Sequence, residues 1–228
     1  MRFSFITIHP EFIESYLKFG VFQSAIRNEL CSFDVINLRD YAVDRHGSVD
    51  DRAYGGGDGM IMRPEPLAAA VCGLKESSPE AKVVFPSPQG EVWNHKLAMS
   101  KHDEGINHLI FICGRFGGVD QRFLDLYVDW QVSLGDFILS GGELGALTVG
   151  DTLLRLVPGV LGNRESSLQD SFAEGNDGML EHPQYTRPAS FEGLSVPSVL
   201  LEGNHKLIEK WKAEKSAEVT KRLRPDLL

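Results

Sequence analysis

The 228-residue chain is poor in cysteine, with only Cys31, Cys72 and Cys113. They form no CxxC pair, and an odd number leaves one unmatched. That argues against a disulfide framework and points to a reduced, cytoplasmic setting. The seven histidines show no HExxH or similar spacing, so no metal site is expected from the ligand pattern. No apolar run approaches the ~18 residues of a membrane helix. The opening MRFSFITIHPEF meets a proline and an acid too early for a signal peptide and reads as a first strand. No glycine run matches GxGxxG in a strand-to-helix setting or GxxxxGK[ST], which disfavours a dinucleotide fold and a nucleotide triphosphatase. Positive charge is also short, at 23 Lys/Arg against 32 Asp/Glu for a net charge of −9. Bulk charge therefore gives no reason to expect nucleic-acid binding. Gly203–Leu228 departs from this, with seven basic residues against four acidic ones.

Hydrophobic residues make up 42% of the chain, enough for a proper core. Strand-like runs at Phe3–Ile8, Phe33–Leu38, Lys82–Phe85, His108–Cys113 and Trp130–Leu134 alternate with helical spacings such as Phe12, Ile13, Tyr16 and Leu17. Strand alternating with helix predicts an α/β domain with a largely parallel sheet. Ligands of such sheets bind at the carboxyl ends of the strands. Residues 158–190 are rich in Gly, Pro, Asn and Ser and lack a period, as expected of a functional lid or linker. A helical pattern resumes over Ser198–Lys221. The expected organisation is a catalytic domain over 1–160, a linker over 161–190 and a small helical domain over 191–228.

Four glycine-bearing stretches stand out: DDRAYGGGDGM (50–60), SPQG (87–90), CGRFGGVDQR (113–122) and SLGDFILSGGELGAL (133–147). Singly, each reads as a turn. Together with VPGVLGN, QDSF, HPQYTRP, VPSVLLEGNH and RPDLL, in that order, they resemble the bacterial tRNA (guanine-N1)-methyltransferases that modify guanosine 37 beside the anticodon. The resemblance covers nearly the whole chain. It implies a SPOUT-type fold with a deep trefoil knot at the carboxyl end of the catalytic domain. It also implies S-adenosylmethionine as cofactor, tRNA as substrate, and a homodimer with the active site at the interface. By motif match the cofactor would meet Ser87, Pro88, Gln89, Gly90, Gly114, Arg115, Leu134, Gly135, Asp136, Phe137, Ile138, Leu139, Gly141 and Gly142. Glycine at 141 and 142 would let backbone segments pass one another closely.

The same resemblance makes Asp170 a general base and Arg155 the cation facing charge that develops on guanine O6. Read alone, Asp170 resembles a helix N-cap. Arg155 alone resembles an ion-pair partner that runs its stem over the core. Asp50 and Gly59 match further family positions. Arg164, His182, Tyr185 and Arg187 are candidates for reading the RNA by stacking and edge contacts, and the lysines after Gly203 for its phosphates. The family carries a glutamate where Gly117 stands, and links it to magnesium. Its absence removes a carboxylate and leaves magnesium open as a second cofactor, with Asp120 as a substitute acid. Gly145 stands where the family has a proline beside the cofactor loop. A related knotted methyltransferase for another RNA, and a non-catalytic RNA- or cofactor-binding relative, remain as alternative readings.

Overall fold

A computed structural model of the chain describes residues 1–57, 59–162 and 170–228. The chain divides into two compact units, Met1–Gly162 and Asn163–Leu228. All five expected strands form in the first unit, with ends within a residue of expectation except in one case. They are β1 (Arg2–Thr7), β2 (Ser32–Asn37), β5 (Lys82–Val92), β6 (His108–Ile112) and β7 (Trp130–Ser133). They make one parallel sheet in the order β2-β1-β6-β5-β7. A short antiparallel pair, β3 (Asp50–Arg52) and β4 (Met60–Met62), lies outside it.

The sheet is buried on both faces, so its strands read as nearly unbroken apolar runs. Phe3 and Phe5 point to one face and stack on Phe111, with ring centroids 6.3 and 5.2 Å apart. That face is covered by α1 (Pro10–Tyr16), α2 (Gly20–Arg27), α4 (His95–Asp103) and α6 (Glu143–Leu154), through buried Ile13, Phe22, Ala98, Leu147 and Leu153. Ile6, Ile110 and Ile112 point to the other face, toward Leu67 and Val71 of α3 (Pro64–Ser77) and Phe123 of α5 (Gln121–Tyr127). Pro64 opens α3 at a position where its missing N–H costs nothing. The Asn94 side chain caps α4 by accepting from the Leu97 N–H at 2.9 Å.

One strand end differs from the sequence reading, which ends the strand at Pro86 and Pro88. The chain leaves the ladder after Pro86 and re-enters it, so that Pro86 and Glu91 both stand opposite Val132. Residues 87–90 are therefore an excursion from β5. Prolines donate no hydrogen bond, which suits this segment to leave the ladder. Gly90 brings the chain back: a Cβ there would lie 2.3 Å from the Val132 amide nitrogen.

The second unit holds a small hairpin, β8 (Ser190–Phe191) and β9 (Leu194–Ser195), and a terminal helix, His205–Leu223. This helix begins later than the Ser198 start expected from periodicity. Ser198–Leu200 forms only a 3-10 turn, Gly203 takes a φ of +72°, and the Asn204 side chain caps the helix at Leu207. Buried Ser216 and Thr220 anchor it, Ser216 donating to the Leu180 carbonyl and Thr220 accepting from the Leu180 N–H.

Candidate active site

At the carboxyl ends of β5, β6 and β7 three loops enclose a cavity of about 240 Å³. Its lining includes Ser87 and Pro88 from the β5 excursion, Gly114 and Arg115 after β6, and Leu134, Gly135, Phe137, Ile138, Leu139, Gly141 and Gly142 after β7. Eleven of the fourteen expected cofactor positions are thus brought together. Gln89, Gly90 and Asp136 are not part of the lining. Sequence reasoning missed other wall positions, among them Pro86, Phe116 and Ser140, while Gly145, expected beside the cofactor loop, does line the cavity.

Two glycines show why small residues sit here. The Gly142 N–H donates to the Gly114 carbonyl at 2.8 Å, and a Cβ at 142 would lie 2.7 Å from the Gly114 nitrogen. Gly141 differs from expectation: the atoms nearest a Cβ there would be side chain and not backbone, the Arg115 guanidinium at 2.2 Å from Nε and Glu143 Oε2 at 2.6 Å. Gly145 lies in α6 rather than in a loop, with its Cα side turned to Pro86, 2.8 Å from a built Cβ. Phe137, Ile138 and Leu139 are exposed, so core packing does not account for these side chains in this chain.

Beneath Gly141 lies a buried ionic cluster. Glu143 is 1% exposed and opens α6, where a carboxylate meets the positive end of the helix. Its Oε1 accepts from Thr7 Oγ1 at 2.7 Å and from Arg115 Nε at 3.1 Å. Arg115 Nη1 donates to the Ser140 carbonyl at 3.3 Å. Cys113 is fully buried alongside. Burial pushes its thiol well up, Glu143 adds to the rise and Arg115 opposes it, so the sulfur is an inert thiol rather than a nucleophile.

The loop around Gly117 is clamped by β4. The Gly117 N–H donates to the Met60 carbonyl at 2.8 Å and the Met62 N–H to the Gly118 carbonyl at 2.9 Å. Gly117 lines the cavity, whereas Asp120 does not. Asp120 caps α5 by accepting from the Arg122 N–H and pairs with the Arg122 guanidinium at 2.7 Å. That hydrogen bonding holds its carboxyl below the usual range. Among the described residues no three His, Cys, Asp or Glu side chains form a metal-binding group.

The other expected residues are placed as follows. Asp50 begins β3, and Gly59 precedes β4 with a φ of +100°. Arg155 is exposed at the carboxyl end of α6, one turn after Asp151. Burial pushes the Asp151 carboxyl up, and the Arg155 charge opposes that rise. Asp170 belongs to the second unit and is half-buried. The segment after it is a turn, with the Ala173 N–H donating to its carbonyl at 3.1 Å, so it caps no α-helix that follows. His182 and Tyr185 lie against Trp211, at ring separations of 5.9 and 6.2 Å, and Arg187 is exposed. Arg164 lies outside the described residues.

A parallel α/β sheet with a glycine-walled cavity at its strand ends belongs to the class of α/β folds whose ligand sites lie at the carboxyl ends of the strands. The sequence as a whole is more specific. A profile described as tRNA (Guanine-1)-methyltransferase TrmD matches residues 1–228, and the chain belongs to that family. A tRNA (guanine-N(1)-)-methyltransferase of Geobacter sulfurreducens is 46% identical over 228 residues, covering all of this chain and 91% of the relative. Proteins of the same description from Listeria monocytogenes and Staphylococcus aureus are 44% and 43% identical, each covering the whole chain and 92% and 91% of the relative. Among the described residues no helix is long and apolar enough to cross a membrane.

Proposed function

We propose that this methyltransferase moves a methyl group from S-adenosylmethionine to N1 of guanosine 37 in tRNA. The supporting observation is the cavity whose walls are backbone at Gly114, Gly141 and Gly142. Added Cβ atoms would crowd these segments, so the loops pass close to one another; the Gly142 N–H and the Gly114 carbonyl bond each other, and reading of an adenine edge falls to other main-chain groups of the same loops. The donor set fits the cofactor: Ser87, Pro88, Gly114 and the loop from Leu134 to Gly142 would hold it. The cofactor supplies an electrophilic methyl group on a sulfonium, already a good leaving group. In this reading the three loops are the threaded segments of a trefoil knot, and two copies of the chain complete each active site in the cytoplasm.

The chain's own task is to prepare the nucleophile. Guanine N1 carries a proton at neutral pH and offers no in-plane lone pair. Asp170 accepts that proton, and Arg155 meets the negative charge that moves to O6. General-base help is worth about 10²–10⁴ in rate. A positioned donor at a developing oxyanion contributes roughly 3–4 kcal/mol. His182, Tyr185 and Arg187 then serve the RNA, with aromatic and guanidinium surfaces suited to unstacked loop bases. Magnesium, if used, finds no carboxylate at position 117.

The test is transfer of labelled methyl groups to a tRNA transcript with guanosine at position 37, against one with adenosine there. Label on the first alone is expected. Label on both would make the site one for another RNA position, and label on neither, with cofactor bound, would make the chain a binding protein.

A further inference from the structure

Glu143 was not among the residues that the sequence pattern picks out. It is among the most buried charged groups of the first unit, at 1% exposure, and it touches three separate segments. From the end of β1, Thr7 Oγ1 donates to Oε1, while the same hydroxyl oxygen accepts from the His9 N–H at 2.9 Å. From the loop after β6, Arg115 Nε donates to Oε1 and lies 2.9 Å from Oε2. From the loop after β7, Gly141 lies directly over the pair, close enough that a Cβ would collide with both side chains. Oε2 is buried and makes no in-line hydrogen bond despite its closeness to Arg115.

A buried ion pair is weak evidence for stability, because the cost of removing two charges from water can exceed their attraction. Its use must be sought in what it orients. Arg115 lines the cavity and also donates to the Ser140 carbonyl. Its guanidinium has a fixed fork of five donors, so fixing Nε fixes the direction of the whole group. We propose that Glu143 is a positioning residue: through Arg115 it sets the shape of the Ser140–Gly142 wall of the cavity, and with it affinity for the cofactor. The proposal rests on the methyltransferase reading above. A residue in this role acts on ligand binding, not on proton transfer.

The test uses the full-length chain and two readouts on the parent, Glu143→Gln and Thr7→Val. The first is the Nε–H resonance of Arg115, assigned by its loss in Arg115→Lys. The second is the Kd for S-adenosylmethionine by calorimetry, with KM and kcat for methyl transfer. In Glu143→Gln the amide oxygen is a neutral, weaker acceptor, so the Nε–H signal is expected to shift and to exchange faster with water, and the cofactor Kd and KM to rise about tenfold, the scale of losing the charge assistance of the bond. At saturating cofactor kcat stays near the parental value. Thr7→Val, which keeps the carboxylate, lies between the two, and it carries the test if Glu143→Gln does not fold. An unchanged Nε–H signal with unchanged Kd in the folded variants overturns the proposal. A parent chain that binds no S-adenosylmethionine overturns the cofactor assignment instead, and the Nε–H signal still decides the role of Glu143.

Discussion

Gly142 donates its N–H to the Gly114 carbonyl at 2.8 Å, joining the start of α6 to the loop after β6. The two residues are far apart in sequence, yet a single methyl group at 142 would reach within 2.7 Å of the Gly114 nitrogen and 3.0 Å of Cys113 Cα. Gly142 has an ordinary φ of −77°, so the constraint is space and not backbone conformation.

Gly142→Ala should therefore separate the two loops. Backbone atoms cannot swing aside as a flexible side chain can, and overpacking of this kind typically costs about 1–3 kcal/mol. The expected outcome is a lower Tm together with weakened S-adenosylmethionine binding. Gly73→Ala in α3 is the control, because a Cβ there would meet only Tyr41 Oη, at 3.9 Å, an ordinary contact. Equal cofactor affinity in Gly142→Ala and the parent would contradict the close-approach account.

A polar cluster inside the sheet predicts a pH dependence of stability. Ser4 Oγ donates to Asp34 Oδ2 at 2.8 Å and lies 2.8 Å from His108 Nε2. With the serine proton committed to Asp34, Nε2–H is the donor to Ser4, and buried Nδ1 makes no hydrogen bond. Burial lowers the imidazole from its ordinary 6.5, the Arg2 charge lowers it further, and Asp34 opposes both. The folded state thus binds fewer protons than the unfolded state below about pH 6.5. The stabilisation is complete above that pH and is lost as the pH falls toward the lowered folded value. Asp34 acts in a more acid range: burial opposes its ionisation, but hydrogen bonds from Arg2 and Ser4 outweigh it and lower its carboxyl from 3.8. Between pH 7 and 5 the Tm of the parent should fall, and His108→Gln should flatten that slope. Parallel Tm curves for the two proteins would remove His108 from the account.

Much of the first unit was legible in the sequence because both faces of its sheet are covered. HLIFI and KVVF read as strands without needing the rest of the fold. The cavity was legible as glycines placed just after strands. Gly90 and Gly141 show where that reading fails. Both are glycines of the expected segments, but one is explained by the β7 backbone and the other by side chains, Arg115 from another loop and Glu143 two residues further on. Glu143 was hidden for the same reason: an acid at the start of a helix normally faces water, and only the meeting of Thr7 with Arg115 reveals that it is buried. The terminal helix was placed too early because apolar spacing continues through Val199 and Leu200, whereas Gly203 and the Asn204 cap decide where it begins.

The basic terminal segment can be tested without removing it. Ser216 and Thr220 tie the helix to Leu180, so deletion would damage the second unit and say little about RNA. Charge changes are cleaner. Lys210, Lys212 and Lys215 each have a glutamate of the same helix within ion-pair distance, at 3.8 Å, 2.9 Å and closer, which already offsets part of their charge. Exposed pairs of this kind contribute little to stability, so glutamine at Lys206, Lys210, Lys212 and Lys215 should leave the fold intact. Each lysine that contacts phosphate releases counterions, and its loss lowers the slope of log affinity against log salt by roughly 0.7–0.9. The fourfold variant should bind tRNA more weakly with a shallower slope, and S-adenosylmethionine unchanged. A parental slope would assign these lysines to solvated surface.

Asp170 carries the strongest prediction for the proposed chemistry. Methylation at N1 forms an N–C bond while the N–H bond breaks, and the proton needs an acceptor within hydrogen-bond reach. A carboxylate serves, and Asp170 is half-buried in a turn. Asp170→Asn keeps the size and the hydrogen-bonding capacity of the side chain but removes the basic oxygen. S-adenosylmethionine binding should be unaffected, since the cavity is built from residues of the first unit. The tRNA affinity should change little, because an amide can replace a carboxylate at a polar contact. Turnover should fall by about 10²-fold or more, the usual worth of a general base. Single-turnover methyl transfer at saturating cofactor measures this step apart from binding and product release. A variant that keeps more than roughly a tenth of the parental rate would place the proton on another group.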